Sequence, residues 1–186
     1  NIDPKKDSSI HTKPLPLDEM PMILNRIKAN NFYGIRSKAI FETLYSTAAR
    51  PFELTNLKIL DVDFNNKEIF IEKGKFSKDR VVPVGKTALF WIKKYLNKVR
   101  PNFVKDSSNE YLFISMNGSG KKLTVRGLQQ IFQDTLKMNN IKHFKMYSLR
   151  ASCAYHCLLK GMNVLYIQKL LGHENVYTTK SYLMLD

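Results

Sequence analysis

The apolar residues of this chain follow a helical spacing, then an extended one, then a helical one again. The helical repeats cover residues 20–27, 33–46, 51–57 and 87–99. Between them, residues 68–72 and 80–84 alternate apolar and polar side chains, which is typical of half-buried strands. Because so short an extended region lies between two helical blocks, we predict a mainly α fold with one small antiparallel β-sheet, an α+β architecture.

Turn-forming residues divide the rest of the chain. Residues 59–63 are predicted to form a first short strand, and 74–78 a polar turn that joins the two stronger strands. Pro83 has no N–H for a sheet ladder, so we place its strand at a sheet edge. A short buried segment and three further helices are predicted at 111–114, 124–138, 148–160 and 164–171. Gly161 and Gly172 follow the last two helices, where a glycine commonly ends a helix.

The chain has 186 residues, which suffices for one domain that needs no disulfide or metal for its stability. It has no apolar run long enough to cross a bilayer, and no apolar signal segment at its start. Cys153 and Cys157 lie four residues apart, like core thiols on one helical face, and a second pair for zinc is missing from the sequence. His156 is expected to be structural. We predict no metal and no cofactor, and a reducing cytoplasm.

The net charge of +14 is concentrated in two blocks. Residues 67–105 carry eleven basic and three acidic side chains, and residues 121–186 carry ten and three, whereas residues 31–66 balance at four each. A concentrated positive field attracts polyanions, of which nucleic acid is the commonest. A Lys-rich composition that merely keeps the protein soluble explains the charge equally well, so charge alone leaves both interpretations open.

Four segments carry most of the chemically informative side chains. They are TAARPFEL at 47–54, KGKFSKDRVVP at 73–83, YSLRAS at 147–152 and LLGHENVYTTKSY at 170–182. In this order they resemble the catalytic domain of the tyrosine recombinases, which include the phage-integrase and Xer-type enzymes. The resemblance spans about residues 17–182, and its most specific part is the tyrosine nine residues after the histidine of the fourth segment. Four matches in one order are hard to produce by chance.

The resemblance implies metal-free cleavage of DNA with Tyr182 as the nucleophile. Attack by a phenol oxygen leaves a 3′-phosphotyrosyl link that keeps the bond energy, so rejoining needs no ATP. Arg50 and Arg150 are the implied phosphate clamps, because the arginine fork is always charged and matches phosphate oxygens. A hundred residues separate them in the sequence, so only folding can bring them together.

The basic turn between the two strands contains the implied general acid. Counting back from the second strand aligns Lys75 with the lysine of the family, which would protonate the leaving 5′ oxygen. Lys73 and Lys78 lie close enough in sequence to leave this register ambiguous. Together with Arg80 they are predicted to contact the DNA backbone. The same role is predicted for three residues of the second basic block, Lys121, Lys122 and Arg126.

Three more residues complete the implied site. His173 would donate a hydrogen bond to the scissile phosphate. Tyr147 stands three residues before Arg150, where the family usually has His, and a Tyr hydroxyl can donate a hydrogen bond but cannot titrate near neutral pH. Either Tyr147 only stabilises charge, or His173 takes over the base function, or catalysis is slow. Glu53 either holds a neighbouring cation or forms a simple i,i+3 pair with Arg50.

The resemblance therefore implies that residues 15–186 are the catalytic domain of a site-specific DNA recombinase, of integrase or Xer type. Residues 1–14 are interpreted as a linker or tail from a missing N-terminal DNA-binding domain. The implied partners are double-stranded DNA, further copies of the chain in a homotetramer on that DNA, and accessory proteins, at the nucleoid of a prokaryotic cell. Two alternatives stay open: a type IB topoisomerase-like relaxase, and a DNA-binding module whose active site has decayed.

Overall fold

The computed structural model describes residues 12–72 and 79–172, which form seven α-helices around a small antiparallel sheet. The helices are α1 (Glu19–Arg26), α2 (Phe32–Thr47), α3 (Pro51–Asn56), α4 (Lys86–Lys98), α5 (Val125–Met138), α6 (Tyr147–Leu159) and α7 (Val164–Leu171). The strands are β1 (Val62–Asp63), β2 (Glu68–Ile71) and β3 (Arg80–Pro83), and short 3₁₀ turns cover Ile59–Asp61 and Arg100–Asn102. The predicted mainly α fold with one small sheet is confirmed. None of the helices within these two ranges is long and apolar enough to span a membrane.

The helix α2 forms the centre of the fold. Its first turn is capped by Asn31, whose side chain accepts a hydrogen bond from the Gly34 N–H at 2.8 Å. Eleven of its sixteen residues are buried, because α4 and α6 pack against it from different sides. The ring of Phe41 stacks on that of Phe132 in α5, with 4.8 Å between centroids. A helix enclosed in this way gives a rigid support for the corner that follows its last turn.

The sheet has the order β1-β2-β3, and its inner face continues the core. Ile69 lies opposite Val82, and Ile71 lies opposite Arg80. The two isoleucines and Val82 are fully buried. Since side chains alternate along a strand, Arg80 is on the same inward face as Val82. Pro83 lies in an edge strand of this sheet, as predicted.

The predicted strand at 59–63 is correct only for its last two residues. The Asp61 carboxylate accepts a hydrogen bond from the Lys58 N–H at 2.7 Å, and the Asp61 N–H donates to the Lys58 carbonyl at 3.2 Å. These two bonds close a 3₁₀ turn over Ile59–Asp61, so the backbone becomes extended only at Val62. Alternation of apolar residues does not reveal such a turn, because the competing bond comes from a side chain.

His156 is a structural residue, as predicted. It is 2% exposed and lies in α6. Its Nε2 donates to the Leu15 carbonyl at 2.8 Å, so its Nδ1 accepts from the Tyr45 hydroxyl at 2.9 Å. The Leu15 N–H in turn donates to the Ser152 hydroxyl at 2.8 Å. Burial lowers the pKa of His156. The bonds of His156 and Ser152 to Leu15 tie the residues before α1 to α6.

Candidate functional site

Arg50 lies at a sharp corner between α2 and α3. Ala48 ends α2 with a φ of 51°, in the left-handed region, and Arg50 is the extended N-cap residue of α3. Pro51 follows at the first helical position, where its fixed φ favours a helix start. Ala48 and Ala49 are fully buried, whereas the Arg50 side chain is 31% exposed. The buried corner therefore directs one guanidinium toward the surface.

Arg150 holds this corner from α6. It lies one turn into that helix and is 3% exposed. Its Nη1 donates a hydrogen bond to the Ala48 carbonyl, and its Nη2 donates to the Leu171 carbonyl at 2.7 Å. The folded chain thus brings both predicted phosphate clamps, Arg50 and Arg150, to one corner.

Glu53, in the first turn of α3, binds two arginines, Arg50 and Arg80. Its Oε2 accepts from the Arg50 N–H at 2.8 Å, and its Oε1 accepts from Arg50 Nη1 at 3.0 Å. Arg80 forms a bidentate pair with the same carboxylate, with both N–O distances at 2.8 Å. Both interpretations of Glu53 therefore describe the structure, because it pairs with Arg50 at i,i+3 and also holds a cation from β3.

The Glu53 carboxylate is ionised over the whole physiological range. Burial alone would raise its pKa, since the side chain is only 5% exposed. The hydrogen bonds and charge of Arg80, the Arg50 N–H and the charge of Arg150 outweigh burial and lower the pKa to about 2. A fixed negative charge therefore lies among three cationic side chains and reduces their mutual repulsion.

Arg80 does not have the placement expected for a DNA contact. Its side chain is 8% exposed, and its Nη1 and Nη2 are engaged by Glu53. Its Nε donates to the Leu170 carbonyl at 2.8 Å. The guanidinium faces the interior because Arg80 is on the inward face of β3, so little of it is accessible to a phosphate oxygen.

The last turn of α7 is closed by these two buried arginines. A helix leaves its last four carbonyls without partners inside the helix. Here Gly172 has a left-handed φ of 63°, and its N–H donates to the first two of these carbonyls, those of Gln168 and Lys169. Arg80 donates a hydrogen bond to the carbonyl of Leu170, and Arg150 donates one to the carbonyl of Leu171. The helix end is therefore fixed directly before His173 in the sequence.

Tyr147 is the first residue of α6 and is half-buried. It precedes Arg150 by three residues, so both side chains are on the same face of the helix. Ser148 and Leu149 between them are buried, which fixes the first turn of α6 in the domain. The structure therefore places Tyr147 one helical turn before Arg150. Its role in catalysis stays a prediction.

The three basic residues predicted from the second block differ in placement. Lys121 and Arg126 are exposed, in the loop before α5 and in the first turn of α5. The Lys122 ammonium group instead contacts the Asn56 side chain and lies 4.6 Å from the centre of the Tyr111 ring. Lys121 and Arg126 thus keep free access for an external anion, whereas Lys122 already has partners inside the domain.

Five predicted site residues lie outside the described residues. They are Lys73, Lys75, Lys78, His173 and Tyr182. The described strands end on either side of the lysines, at Ile71 and Arg80, and α7 ends at Leu171. Their catalytic and DNA-binding roles stay predictions. In residues 12–72 and 79–172, no group of three or more His, Cys, Asp or Glu side chains is arranged to hold a metal ion.

The sequence pattern contained a signal for the inward placement of Arg80 that the prediction of a DNA contact did not use. Arg80 precedes the apolar Val82 by two residues, and the period of a strand places such a pair on one face. The bonds from Arg80 and Arg150 to the end of α7 have no comparable signal. They join segments that are 90 and 21 residues apart in the sequence.

The chain belongs to the phage integrase family, the tyrosine recombinases, which it matches over residues 13–186. It is 35% identical over 182 residues to tyrosine recombinase XerD of Oceanobacillus iheyensis, a match that covers 96% of this chain and 59% of that protein. The crystal structure of XerA recombinase superposes with a TM-score of 0.81 at 30% identity, over 95% of this chain and 62% of that one.

A third similar protein was solved with DNA. XerH site-specific recombinase, bound to palindromic difH substrate in a post-cleavage complex, has a TM-score of 0.77 at 21% identity, over 94% of this chain and 50% of that one. At this identity the likeness concerns the fold alone. The chain spans about three fifths of the length of the XerD relative and half of the XerH chain.

Proposed function

We propose that this chain is the catalytic part of a site-specific DNA recombinase. It cuts one strand of duplex DNA at a time, holds the cut end as a 3′-phosphotyrosine, and passes it to the 5′ hydroxyl of a partner strand. The reaction uses neither metal nor ATP. The observation that carries this proposal is the convergence of Arg50 and Arg150 on one corner, where Arg150 binds the carbonyl two residues before Arg50.

The corner suits the stabilisation of a phosphate that gains charge during the reaction. Preorganised cations in a partly buried site stabilise such charge without reorganising when it develops. Arg50, with 31% of its side chain exposed, is the more accessible of the two clamps. Arg150 is more deeply buried, at the base of the corner. The negative charge of Glu53 reduces the repulsion among the three arginines. Glu53 also orients Arg50 through two hydrogen bonds.

The chemical step exchanges one phosphoester for another. The Tyr182 oxygen attacks phosphorus, the bond from phosphorus to the 5′ oxygen breaks, and Lys75 supplies the proton that this leaving oxygen takes up. The phenol proton passes to an acceptor. Tyr147 cannot be a titrating base near neutral pH, so His173 is the favoured acceptor. Religation is the reverse sequence with the 5′ hydroxyl of the second strand.

The proposed partner is double-stranded DNA, contacted by Lys73, Lys78, Lys121 and Arg126. The positive charge of the chain and the DNA bound to XerH in its complex support this partner. We further propose assembly as a homotetramer on DNA, with accessory proteins, at the nucleoid in the cytoplasm of a prokaryotic cell. Residues 1–14 would link to an N-terminal DNA-binding domain that completes the grip on the duplex.

Covalent capture tests the proposal without knowledge of the target site. The chain is incubated with a pool of labelled, nicked duplexes that have a randomised central segment, and adducts are separated on a denaturing gel. We expect an adduct with the wild type and with Tyr177→Phe, and none with Tyr182→Phe. Absence of an adduct with the wild type would contradict the proposal and favour a DNA-binding module.

A second assay separates recombination from relaxation. Duplexes selected by covalent capture are placed in pairs on one supercoiled plasmid. A recombinase exchanges strands between the two sites, whereas a topoisomerase-like relaxase removes supercoils without joining one site to the other. We expect exchange products.

A further inference from the structure

The Arg80 guanidinium is buried and uses all three of its nitrogens in bonds inside the domain. It lies at the start of β3 with its side chain 8% exposed. Its three nitrogens donate to Glu53 Oε1, Glu53 Oε2 and the Leu170 carbonyl, each at 2.8 Å. One planar group therefore joins three elements: β3, α3 and the end of α7.

Through its contact with Glu53, Arg80 acts indirectly on Arg50, the proposed phosphate clamp. The two oxygens that accept from Arg80 also accept from the Nη1 and the backbone N–H of Arg50. A bidentate pair fixes the plane of the carboxylate, and the carboxylate fixes the direction of Arg50. Without Arg80, the carboxylate of Glu53 would keep only its two bonds to Arg50 and would lose the pair that fixes it to β3.

The contact with Leu170 reaches the other end of the site. Leu170 lies in the last turn of α7, and His173 follows it by three residues in the sequence. Arg80 Nε satisfies a carbonyl that the helix itself leaves open. The cation also complements the negative end of the helix dipole. This bond therefore holds the point at which the chain leaves α7.

We infer that Arg80 is a positioning residue, which sets Arg50 through Glu53 and sets the end of α7 through the Leu170 carbonyl, and that it does not bind DNA phosphate. The inference rests on the proposed function for its link to catalysis. Three of the five N–H donors of Arg80 are used inside the domain, and a side chain only 8% exposed offers the other two little access to a phosphate oxygen.

The test compares Arg80→Gln and Arg80→Lys with Arg126→Gln, which removes the same charge from an exposed side chain. Two quantities are measured with the nicked-duplex pool: DNA affinity as a function of salt, and the single-turnover rate of adduct formation at saturating protein. Amide hydrogen exchange of the protein is measured in α7 and Gly172, and in α2 for comparison. Arg126→Gln is expected to weaken binding and to reduce the salt slope by about one.

For Arg80→Gln we expect nearly unchanged affinity and salt slope, and an adduct rate about 10²-fold lower, since a small misplacement of catalytic groups costs about that much. Exchange at the end of α7 should become about tenfold faster while α2 stays protected. Arg80→Lys keeps the charge but not the fork, so its rate should recover only in part. If the Gln variant does not fold, the Lys variant still gives the comparison of adduct rate and of hydrogen exchange.

Two outcomes overturn the inference. One is the pattern of a phosphate contact, with a lower affinity and salt slope but wild-type rate and exchange. The other is faster exchange throughout α2 and α7 alike, which would show a purely global effect on stability. If the wild type forms no adduct, the proposed function fails, whereas the salt slope and the exchange data still decide whether Arg80 holds α7.

Discussion

The guanidinium of Arg150 donates a hydrogen bond to the backbone carbonyl of Ala48, a residue 102 positions earlier in the chain. Ala48 has a left-handed backbone that costs a non-glycine residue roughly 1 kcal/mol. The bond holds this turn in place, two residues before Arg50. Arg150 therefore has a structural function in the corner in addition to its proposed action on phosphate.

This double function predicts different costs for the two arginines. Arg150→Ala should lower the free energy of unfolding by about 2–4 kcal/mol, because it leaves two buried carbonyls without their donor. Arg50→Ala should cost about 1 kcal/mol or less, because it removes one partly exposed ion pair. Chemical denaturation measures both. Equal losses would contradict the structural role of Arg150.

Both substitutions should nevertheless impair cleavage. Each removes a donor to the developing charge, which costs about 10²–10³-fold or more in rate. DNA affinity should change far less, because other basic residues share the contact with the backbone. Single-turnover rates of adduct formation at saturating protein check this, at a temperature where both variants are folded. A variant that cleaves at the wild-type rate would not be a phosphate clamp.

Glu53 predicts an acid-dependent loss of stability. Its pKa falls from an ordinary value of 4.5 to about 2 on folding, so it stabilises the fold by about 3 kcal/mol above about pH 5. This contribution is present above the unfolded pKa and is lost as pH falls toward the folded pKa of about 2. Glu53→Gln should remove this part of the pH dependence.

The matched control for Glu53 is Glu110→Gln. The Glu110 side chain is 54% exposed and pairs with Lys58 at the surface. Its removal should leave the acid limb of the stability curve as in the wild type. Free energies of unfolding between about pH 6 and pH 2 give the comparison. The same acid limb in the Glu53 and Glu110 variants would contradict the role of the buried arginine cluster.

If Lys75 is the general acid, a better leaving group should restore cleavage by a Lys75 variant but not by a variant of Lys78. A 5′-bridging phosphorothioate has a sulfur leaving group that needs little protonation. It should therefore restore cleavage by Lys75→Ala and have no comparable effect on Lys78→Ala. Rescue of the Lys78 variant instead would show that the general acid lies three residues further along the chain.

Substitution of Tyr147 is expected to change the cleavage rate measurably. If its hydroxyl donates to phosphate, Tyr147→Phe should lower the cleavage rate by about 10²–10³-fold at most. Tyr147→His should keep or raise the activity and add a pH dependence near the ordinary imidazole pKa of about 6.5. Single-turnover rates across neutral pH decide. A Phe variant with the wild-type rate would make Tyr147 a packing residue.

The helices and the two stronger strands could be predicted because their signals are local. The apolar repeat over 33–46 corresponds to α2, which runs from Phe32 to Thr47, and the repeat over 164–171 matches α7. The alternation of apolar and polar side chains predicted β2 and β3, and Pro83 predicted that β3 is an edge strand. The turn over Ile59–Asp61 was missed because the Asp61 side chain competes with strand pairing.

The roles of the site residues stay predictions, and the hydrogen bonds among the described ones could not be predicted from the sequence. The resemblance of four segments named Arg50 and Arg150 as partners, and in the structure Arg150 binds the carbonyl of Ala48, two residues before Arg50. It also suggested that Arg80 contacts DNA, whereas Arg80 pairs with Glu53 inside the domain. The spacing of Arg80 from Val82 indicates an inward side chain, but its bonds to Glu53 and Leu170 join segments 27 and 90 residues apart, and no local pattern predicts them.

The most direct test of the assigned nucleophile is to identify the residue that becomes linked to DNA. The adduct from the nicked-duplex pool is digested with protease and nuclease, and the modified peptide is sequenced by mass spectrometry. We predict one nucleotide attached through its 3′ phosphate to Tyr182. Attachment to Tyr177, to another residue, or through a 5′ phosphate would contradict the proposed chemistry.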